Sequence, residues 1–320
     1  MLVYFELLFI FRCPIKHIAK KMNKCLDVEE SIMYKIVEKK NLTPSIFMMK
    51  VEAPRVAKSA KPGQFIIIRM DEKGERVPLT VCDTDPQNGT VTIVVQTMGC
   101  TTKEMANYEV GNGFYDFVGP LGMPSELLHE DLEELKEKNI MFIAGGVGTA
   151  PVYPQVKWLH QQGIKADVIM GYKTKDMVIL EEEMTAVAGN AYVTTDDGSH
   201  GFKGLVTEKL KELVNNEGKK YDLVIAIGPM IMMKFVCKLT EELGIKTIVS
   251  LNPIMVDGTG MCGACRITVG DETKFACVDG PEFDGHKVNF DEALKRLSMY
   301  KSEEVDKDTM KPGCGRGGNA

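Results

Sequence analysis

Residues 140–162, IMFIAGGVGTAPVYPQVKWLHQQ, decide how the chain is read. Residues 140–144 are wholly apolar, as a strand covered on both faces of a parallel sheet must be. Residues 152–162 read as a helix and carry the chain's single Trp. Between the two lies a glycine turn made of Gly145, Gly146, Val147, Gly148, Thr149, Ala150 and Pro151. Gly148 lets a phosphate approach the backbone, and Pro151 stands where a helix can begin. The free N–H groups and dipole of that helix end favour a pyrophosphate. The spacing is not G-x-G-x-x-G, so a plain strand–helix turn remains open from pattern alone.

The same rhythm continues downstream. Apolar strands are expected at 166–171, 191–194, 223–227 and 247–251, with helices at 205–214 and 231–243. Such alternation over residues 139–252 implies a nucleotide-binding α/β domain with a parallel sheet. A second glycine turn, Gly228, Pro229 and Met230, ends a later strand of that sheet. Residues 127–138 read as a charged connecting helix.

Upstream, residues 33–125 are strand-like. Runs at 34–38, 46–53, 64–69, 79–82, 90–97 and 114–118 are separated by turn signals such as Pro62-Gly63 and Asn88-Gly89. With one helical stretch at 101–108, they suggest a small antiparallel barrel. Within it Arg76 supplies a cation entering a strand and Thr80 a hydroxyl. Thr101 and Thr102 precede a helix, which favours an anionic phosphate. An ordinary solvated strand edge is an equal reading of those residues.

Composition narrows the classes. The chain has 320 residues, a net charge of −6 and 26% charged residues, which excludes a disordered chain. No Lys/Arg run supplies a stripe for nucleic acid, and no apolar stretch reaches the ~20 residues of a membrane span. Residues 1–32 form an N-terminal extension whose apolar start, 2–11, lacks a basic flank and a cleavage site. It is read as loosely packed or as a mis-assigned start, with a peripheral anchor or partner helix as the alternative. Residues 301–320 read as a disordered tail, Gly-rich from 311. A cytoplasmic location is expected.

Three of the nine cysteines crowd into residues 256–280, VDGTGMCGACRITVGDETKFACVDG. Plant-type two-iron clusters use C-x4-C-x2-C with a distant fourth Cys. Cys262 and Cys265 fit the C-x2-C, Cys277 is the distant ligand, and Asp257 stands where the first Cys belongs. Gly258, Gly260 and Gly263 let the backbone wrap and aim N–H groups at the sulfurs. The expectation is a [2Fe–2S] cluster held by Asp257, Cys262, Cys265 and Cys277 in a subdomain spanning 253–300. A strand at 266–269 and a helix at 290–298 complete it. Structural zinc and free buried thiols are the alternatives.

These motifs, in this order, resemble the ferredoxin–NADP reductase-like flavoproteins over residues 33–300. Within that family the sequence is similar to the iron–sulfur electron-transfer subunits of dihydroorotate dehydrogenase, sulfide dehydrogenase and NADH-dependent ferredoxin:NADP+ oxidoreductase. The resemblance implies an FAD-binding barrel, an NAD(P)-binding α/β domain and a C-terminal [2Fe–2S] loop. Val77, Pro78, Leu79 and Thr80 match the segment that binds flavin phosphate and ring in the pattern R-x-[YF]-[ST]. Here Val77 stands in place of the Arg, with Arg76 one position earlier, and Leu79 replaces the aromatic. Val95, Gln96, Thr97, Thr101 and Thr102 match the remaining FAD contacts. Residues 145–151 match the pyridine-nucleotide loop, and Gly228, Pro229 and Met230 match its second turn.

Asp257 in place of a fourth Cys favours the small subunit of the electron-bifurcating NADH-dependent ferredoxin:NADP+ oxidoreductase. Such a subunit exchanges hydride with NAD(H) and passes single electrons to a larger flavin and iron–sulfur partner, which serves NADPH and ferredoxin. The residues alone leave NADP(H) open. The strand ending at Met170-Gly171 lacks an acid for a ribose 2′-OH, and Lys173 and Lys175 could meet a 2′-phosphate. No catalytic acid or base is expected. The alternatives are a dihydroorotate dehydrogenase electron-transfer subunit, a flavin reductase with structural zinc, and a non-catalytic flavin/cysteine redox sensor.

Overall fold

The computed structural model describes residues 33–300. The N-terminal extension expected at 1–32 and the tail expected at 301–320, with Cys13, Cys25 and Cys314, lie outside the described residues.

The first half is built of short runs rich in β-branched residues broken by turn signals, and it folds as strands. These are β1 (Tyr34–Thr43), β2 (Ile46–Glu52), β3 (Phe65–Arg69), β4 (Val77–Asp85), β5 (Thr90–Gln96), β6 (Gly113–Phe114) and β7 (Asp116–Leu121). Short helices α1 (Pro54–Ser59) and α2 (Cys100–Met105) interrupt them. The strands form one antiparallel sheet in the order β6-β1-β2-β5-β4-β3-β7. Its edge strands β6 and β7 are separated by Tyr115 alone, so the sheet must curl back on itself into a nearly closed barrel. The expected strand at 114–118 is therefore two strands that pair with opposite edges.

β3 is apolar on both faces for a reason. Ile66 and Ile68 point into the barrel core, while Phe65 and Ile67 join a second core with Leu251, Met255, Cys265, Cys277 and Phe283. A strand facing water on one side would alternate with polar residues. Here the C-terminal segment covers the outer face instead.

The connector is not one helix. A 3-10 turn at Glu126–His129 is followed by α3 (Leu132–Lys136), whose first amides are capped by the Asp131 carboxylate. The parallel sheet then begins with β8 (Ile140–Gly145) and α4 (Thr149–Gln161). It continues through β9 (Asp167–Tyr172), α5 (Glu181–Val187), β10 (Ala191–Thr195), β11 (Phe202–Lys203), α6 (Val206–Lys211), β12 (Leu223–Ile227), α7 (Met230–Glu242) and β13 (Lys246–Ser250). The last segment supplies the hairpin β14 (Arg266–Val269) and β15 (Glu272–Phe275), then β16 (Glu282–Asp284) and α8 (Phe290–Leu297).

The sheet order is β11-β10-β9-β8-β12-β13-β16, with β16 alone antiparallel to its neighbour. From β8 the chain winds outward through β9 to β11, then returns to the other side of β8 as β12. The strand order thus reverses between β8 and β12, where open α/β sheets leave a ligand crevice. The sequence reading did not anticipate α1, α5, β11, β15 or β16. Each is too short to show a period, and β16 hides its core-facing acid, Glu282, in a three-residue strand. Among the described residues no helix is long and apolar enough to cross a membrane.

Candidate functional site

The two glycine turns meet at the strand-order reversal. A Cβ on Gly148 would lie 2.3 Å from the Ile227 carbonyl oxygen, and one on Gly228 would lie 3.0 Å from Gly145 Cα. Only glycine permits backbones this close. Gly145 itself backs onto Pro229 and Met232. Gly146 is different: its φ is +55° and nothing lies within 4 Å of where its Cβ would be, so it faces open space.

Two predicted members of the loop play another part. Thr149 is fully buried; its hydroxyl lies 3.0 Å from the Gly146 carbonyl and 2.8 Å from Tyr172 Oη, which donates to the Ile179 carbonyl. Burial pushes the Tyr172 phenol up to about 12, so it stays a neutral donor. Ala150 is also buried, and Met230 belongs to the core beneath the crevice. These residues hold the loop's shape rather than lining its open side.

On the barrel, Val77, Pro78, Leu79 and Thr80 are half-buried along β4 and pair with β3, Ile67 opposite Pro78. Farther along β4, Asp83 receives both carboxylate bonds from Lys157 of α4 at 2.8 and 2.7 Å. The helix that follows the glycine loop is thereby bolted to the strand matched to the flavin pattern. Val95 is buried in the barrel core, so its side chain does not line a surface site. Gln96 ends β5 and Thr97 follows it, its hydroxyl donating to the Ser45 carbonyl at 3.1 Å. Thr101 donates to Glu75 at 2.7 Å. Thr102 accepts from the amides of Met98 and Gly99 and so caps α2.

Arg76 is turned away from that strand. Its Nε donates to the Val256 carbonyl at 2.9 Å and its Nη2 to the Asp257 carbonyl at 3.4 Å. The cation expected for a flavin phosphate therefore grips the cysteine loop.

That loop lies on the barrel's outer face. A Cβ on Gly258 would meet Ile67 Cδ1 at 2.6 Å and Leu121 Cδ1 at 2.8 Å, and the residue's φ is +76°. Gly260 and Gly263 also have positive φ. Cys265 and Cys277 are buried with their sulfurs 3.3 Å apart, while Cys262 is exposed. Asp257 accepts from Thr259 N at 2.9 Å and Cys262 N at 2.8 Å, and these amides hold its carboxyl below the usual range. Among the described residues no three His, Cys, Asp or Glu side chains converge on a single-ion site. The donor chemistry, three thiols and a carboxylate on a glycine-wrapped loop, fits a two-iron cluster.

Two features were not legible beforehand. Glu282 on β16 is buried, accepting from Ser125 Oγ at 2.9 Å, Glu126 N at 3.1 Å and Gln155 Nε2 at 2.8 Å. It ties the connector, α4 and the C-terminal segment at one point. Asp196 and Asp197 follow β10, and the amides of both bond β9's end at Tyr172 and Lys173. Two acids thus stand beside the lysines singled out for a 2′-phosphate. Charge in a turn has no period, so nothing local could have paired them.

Comparisons with known proteins agree with this geometry. Residues 142–238 match the oxidoreductase NAD-binding domain, and residues 252–289 match the iron–sulfur cluster binding domain of dihydroorotate dehydrogenase B. A Clostridium beijerinckii protein from the adh 3′ region is 69% identical over 272 residues, covering 85% of this chain and 92% of that one. The Thermotoga maritima dihydroorotate dehydrogenase B (NAD(+)) electron transfer subunit homolog is 46% identical over 269 residues, covering 84% and 92%. A solved NADH-dependent reduced ferredoxin-NADP oxidoreductase, studied for flavin-based electron bifurcation, aligns with TM-score 0.80 and 43% identity, covering 88% of this chain and 100% of that one. The chain belongs to the family of dihydroorotate dehydrogenase B electron-transfer subunits and their homologues.

Proposed function

We propose that this chain is the NAD(H)-linked electron-transfer subunit of an electron-bifurcating oxidoreductase of the NADH-dependent ferredoxin-NADP type. The observation that carries the reading is the seat of Gly258 on Ile67, because Ile67 pairs directly with Pro78. The cysteine loop and the strand matched to the flavin pattern share one strand of separation, which gives electrons a short path. The working partition is a barrel at 33–125, a nucleotide domain at 139–252 and a cluster subdomain at 253–300.

When bound, FAD supplies the conversion between hydride and single-electron chemistry, and the [2Fe–2S] cluster supplies a one-electron relay. The chain's own residues bind and orient. Gly146 leaves the crevice open to a dinucleotide, and Gly148 and Gly228 hold its floor. Residues 77–80, Gln96, Thr97 and the loop before Thr101 offer the flavin a half-buried edge. Asp257, Cys262, Cys265 and Cys277 would hold the iron. Asp196 and Asp197, beside Lys173 and Lys175, favour a ribose 2′-OH over a 2′-phosphate, consistent with NAD(H). A larger flavin and iron–sulfur subunit takes the electrons onward, and a cytoplasmic location suits thiolate-held iron.

The second reading is an electron-transfer subunit for dihydroorotate oxidation, favoured by the Thermotoga relative's name. Affinity purification from the native host, with mass spectrometry of the co-purifying subunit, separates the two. The first reading expects a larger flavoprotein and NADP+ reduction that requires NADH and reduced ferredoxin together as electron donors. Dihydroorotate-dependent NAD+ reduction by the purified complex would sink it.

A further inference from the structure

Three arginines take carbonyls of the cysteine loop: Arg266, at the start of β14, donates through Nη1 to Gly263 O at 3.3 Å, and two more reach the loop from other elements. Arg76, just ahead of β4, donates to Val256 O and Asp257 O, as described. Arg296 of α8 donates through Nη2 to Ala264 O at 3.0 Å, between Cys262 and Cys265, and its Nε is buried without a hydrogen-bond partner. Arg76 is itself positioned by Asp116 at 3.8 Å, which Arg69 holds at 2.7 Å.

The arrangement has a direct electrostatic consequence. Each of these bonds holds a guanidinium against the backbone of the loop that carries the cysteines. Guanidinium groups stay charged at any working pH. Reduction of a cluster adds one negative charge, and a fixed cation nearby stabilises that form more than the oxidised one. Hydrogen bonds and net charge around the sulfurs are the protein's main controls on cluster potential.

We propose that Arg76 and Arg296 are positioning residues that raise the reduction potential of the cluster by gripping its loop from the barrel and from α8. Arg76 then has a role distinct from binding a flavin phosphate: it couples the loop to the strand beside it. The inference rests on the reading that residues 257–277 hold a [2Fe–2S] cluster.

The test is an anaerobic redox titration of the full-length chain followed by the electron paramagnetic resonance signal of the reduced cluster. Iron, sulfide and FAD are assayed on the same samples, for wild type, Arg76→Lys, Arg76→Gln and Arg296→Gln. Both glutamine variants are expected to shift negative, with the reduced-to-oxidised ratio at fixed potential falling about tenfold, or about 59 mV for one electron. Arg76→Lys keeps the charge and should retain most of the wild-type potential. FAD per chain should be unchanged in all of them. If Arg76→Gln does not retain the cluster, Arg296→Gln carries the same expectation. An unmoved potential in loaded glutamine variants overturns the proposal, as does loss of FAD from Arg76→Gln with its potential intact. Wild-type protein that binds no iron and sulfide overturns the cluster reading itself, and the proposal with it.

Discussion

A methyl group on Gly148 would sit 2.3 Å from the carbonyl oxygen of Ile227, the last residue of β12. The contact joins the two turns at the strand-order reversal, and neither turn can move without the other. Gly148 has ordinary helical backbone angles, φ −61°, so close approach alone demands glycine there. Gly148→Ala should destabilise the chain by about 1–3 kcal/mol through overpacking and weaken NADH binding together with it. Urea denaturation and NADH titration should show both losses; an alanine variant with wild-type stability would mean the turns are loosely packed.

Gly146 separates binding from stability. Its left-handed backbone makes alanine cost about 1 kcal/mol, but the new methyl points into open space where a dinucleotide would lie. Gly146→Ala should therefore lower NADH affinity about tenfold, worth about 1.4 kcal/mol, with only a small drop in melting temperature. Unchanged affinity would move the nucleotide away from this loop.

Asp257 works on the loop even before iron arrives. Asp257→Ala removes the acceptor of both Thr259 N and Cys262 N, whereas Asp257→Asn keeps one carbonyl oxygen for one of them. Iron affinity should fall at least about tenfold in the alanine variant and less in the asparagine variant. Iron and acid-labile sulfide per chain after reconstitution measure this. Equal loading of all three proteins would remove Asp257 from the cluster site.

Reconstitution should also depend on pH. Burial, and then the Cys265 contact, push the Cys277 thiol up to about 12, so Cys277 is protonated at neutral pH. Loading iron must expel that proton. The rate of cluster formation should rise as the pH is raised from about 7 to about 9, and a flat profile would count against a protonated Cys277.

Glu282 makes stability depend on pH. Burial raises its carboxyl above the ordinary value of 4.5, outweighing the bonds from Glu126 N, Ser125 and Gln155. A raised acid binds more protons in the folded than in the unfolded state. Its stabilisation is thus fully present below about 4.5 and is lost as pH climbs through the raised folded value. Glu282→Gln keeps the network if the Gln155 amide flips, and it has no charge to bury. The variant should gain stability relative to wild type as pH rises from about 4.5 toward 7. Glu282→Ala instead strands three donors and should cost about 2–4 kcal/mol at any pH. Melting temperatures across that range decide; parallel wild-type and glutamine profiles would show that the carboxylate is solvated.

How much was legible follows from what is local. The run 140–151 announced a strand, a glycine turn and a helix because period and composition are properties of neighbouring residues. The same holds for the barrel strands, for α8 and for the cysteine spacing at 257–277. What one strand does to another is not local. The apolar character of residues 65–68 looked like any buried strand, yet Phe65 and Ile67 serve a core completed by residues about two hundred positions away. Arg76 was associated with the flavin phosphate only through the family resemblance, but its hydrogen bonds run to Val256 and Asp257, a contact only the folded chain could create. Nothing in the residues around Glu282 marked it, yet Ser125, Glu126 and Gln155 enclose it in the fold. Sequence by itself determined where most of the longer strands and helices fall and where the glycine turns and the cysteine spacing lie, because backbone preference and ligand spacing are short-range. Tertiary structure alone decided which of those residues face one another, because close approach and burial arise only when distant segments share a core.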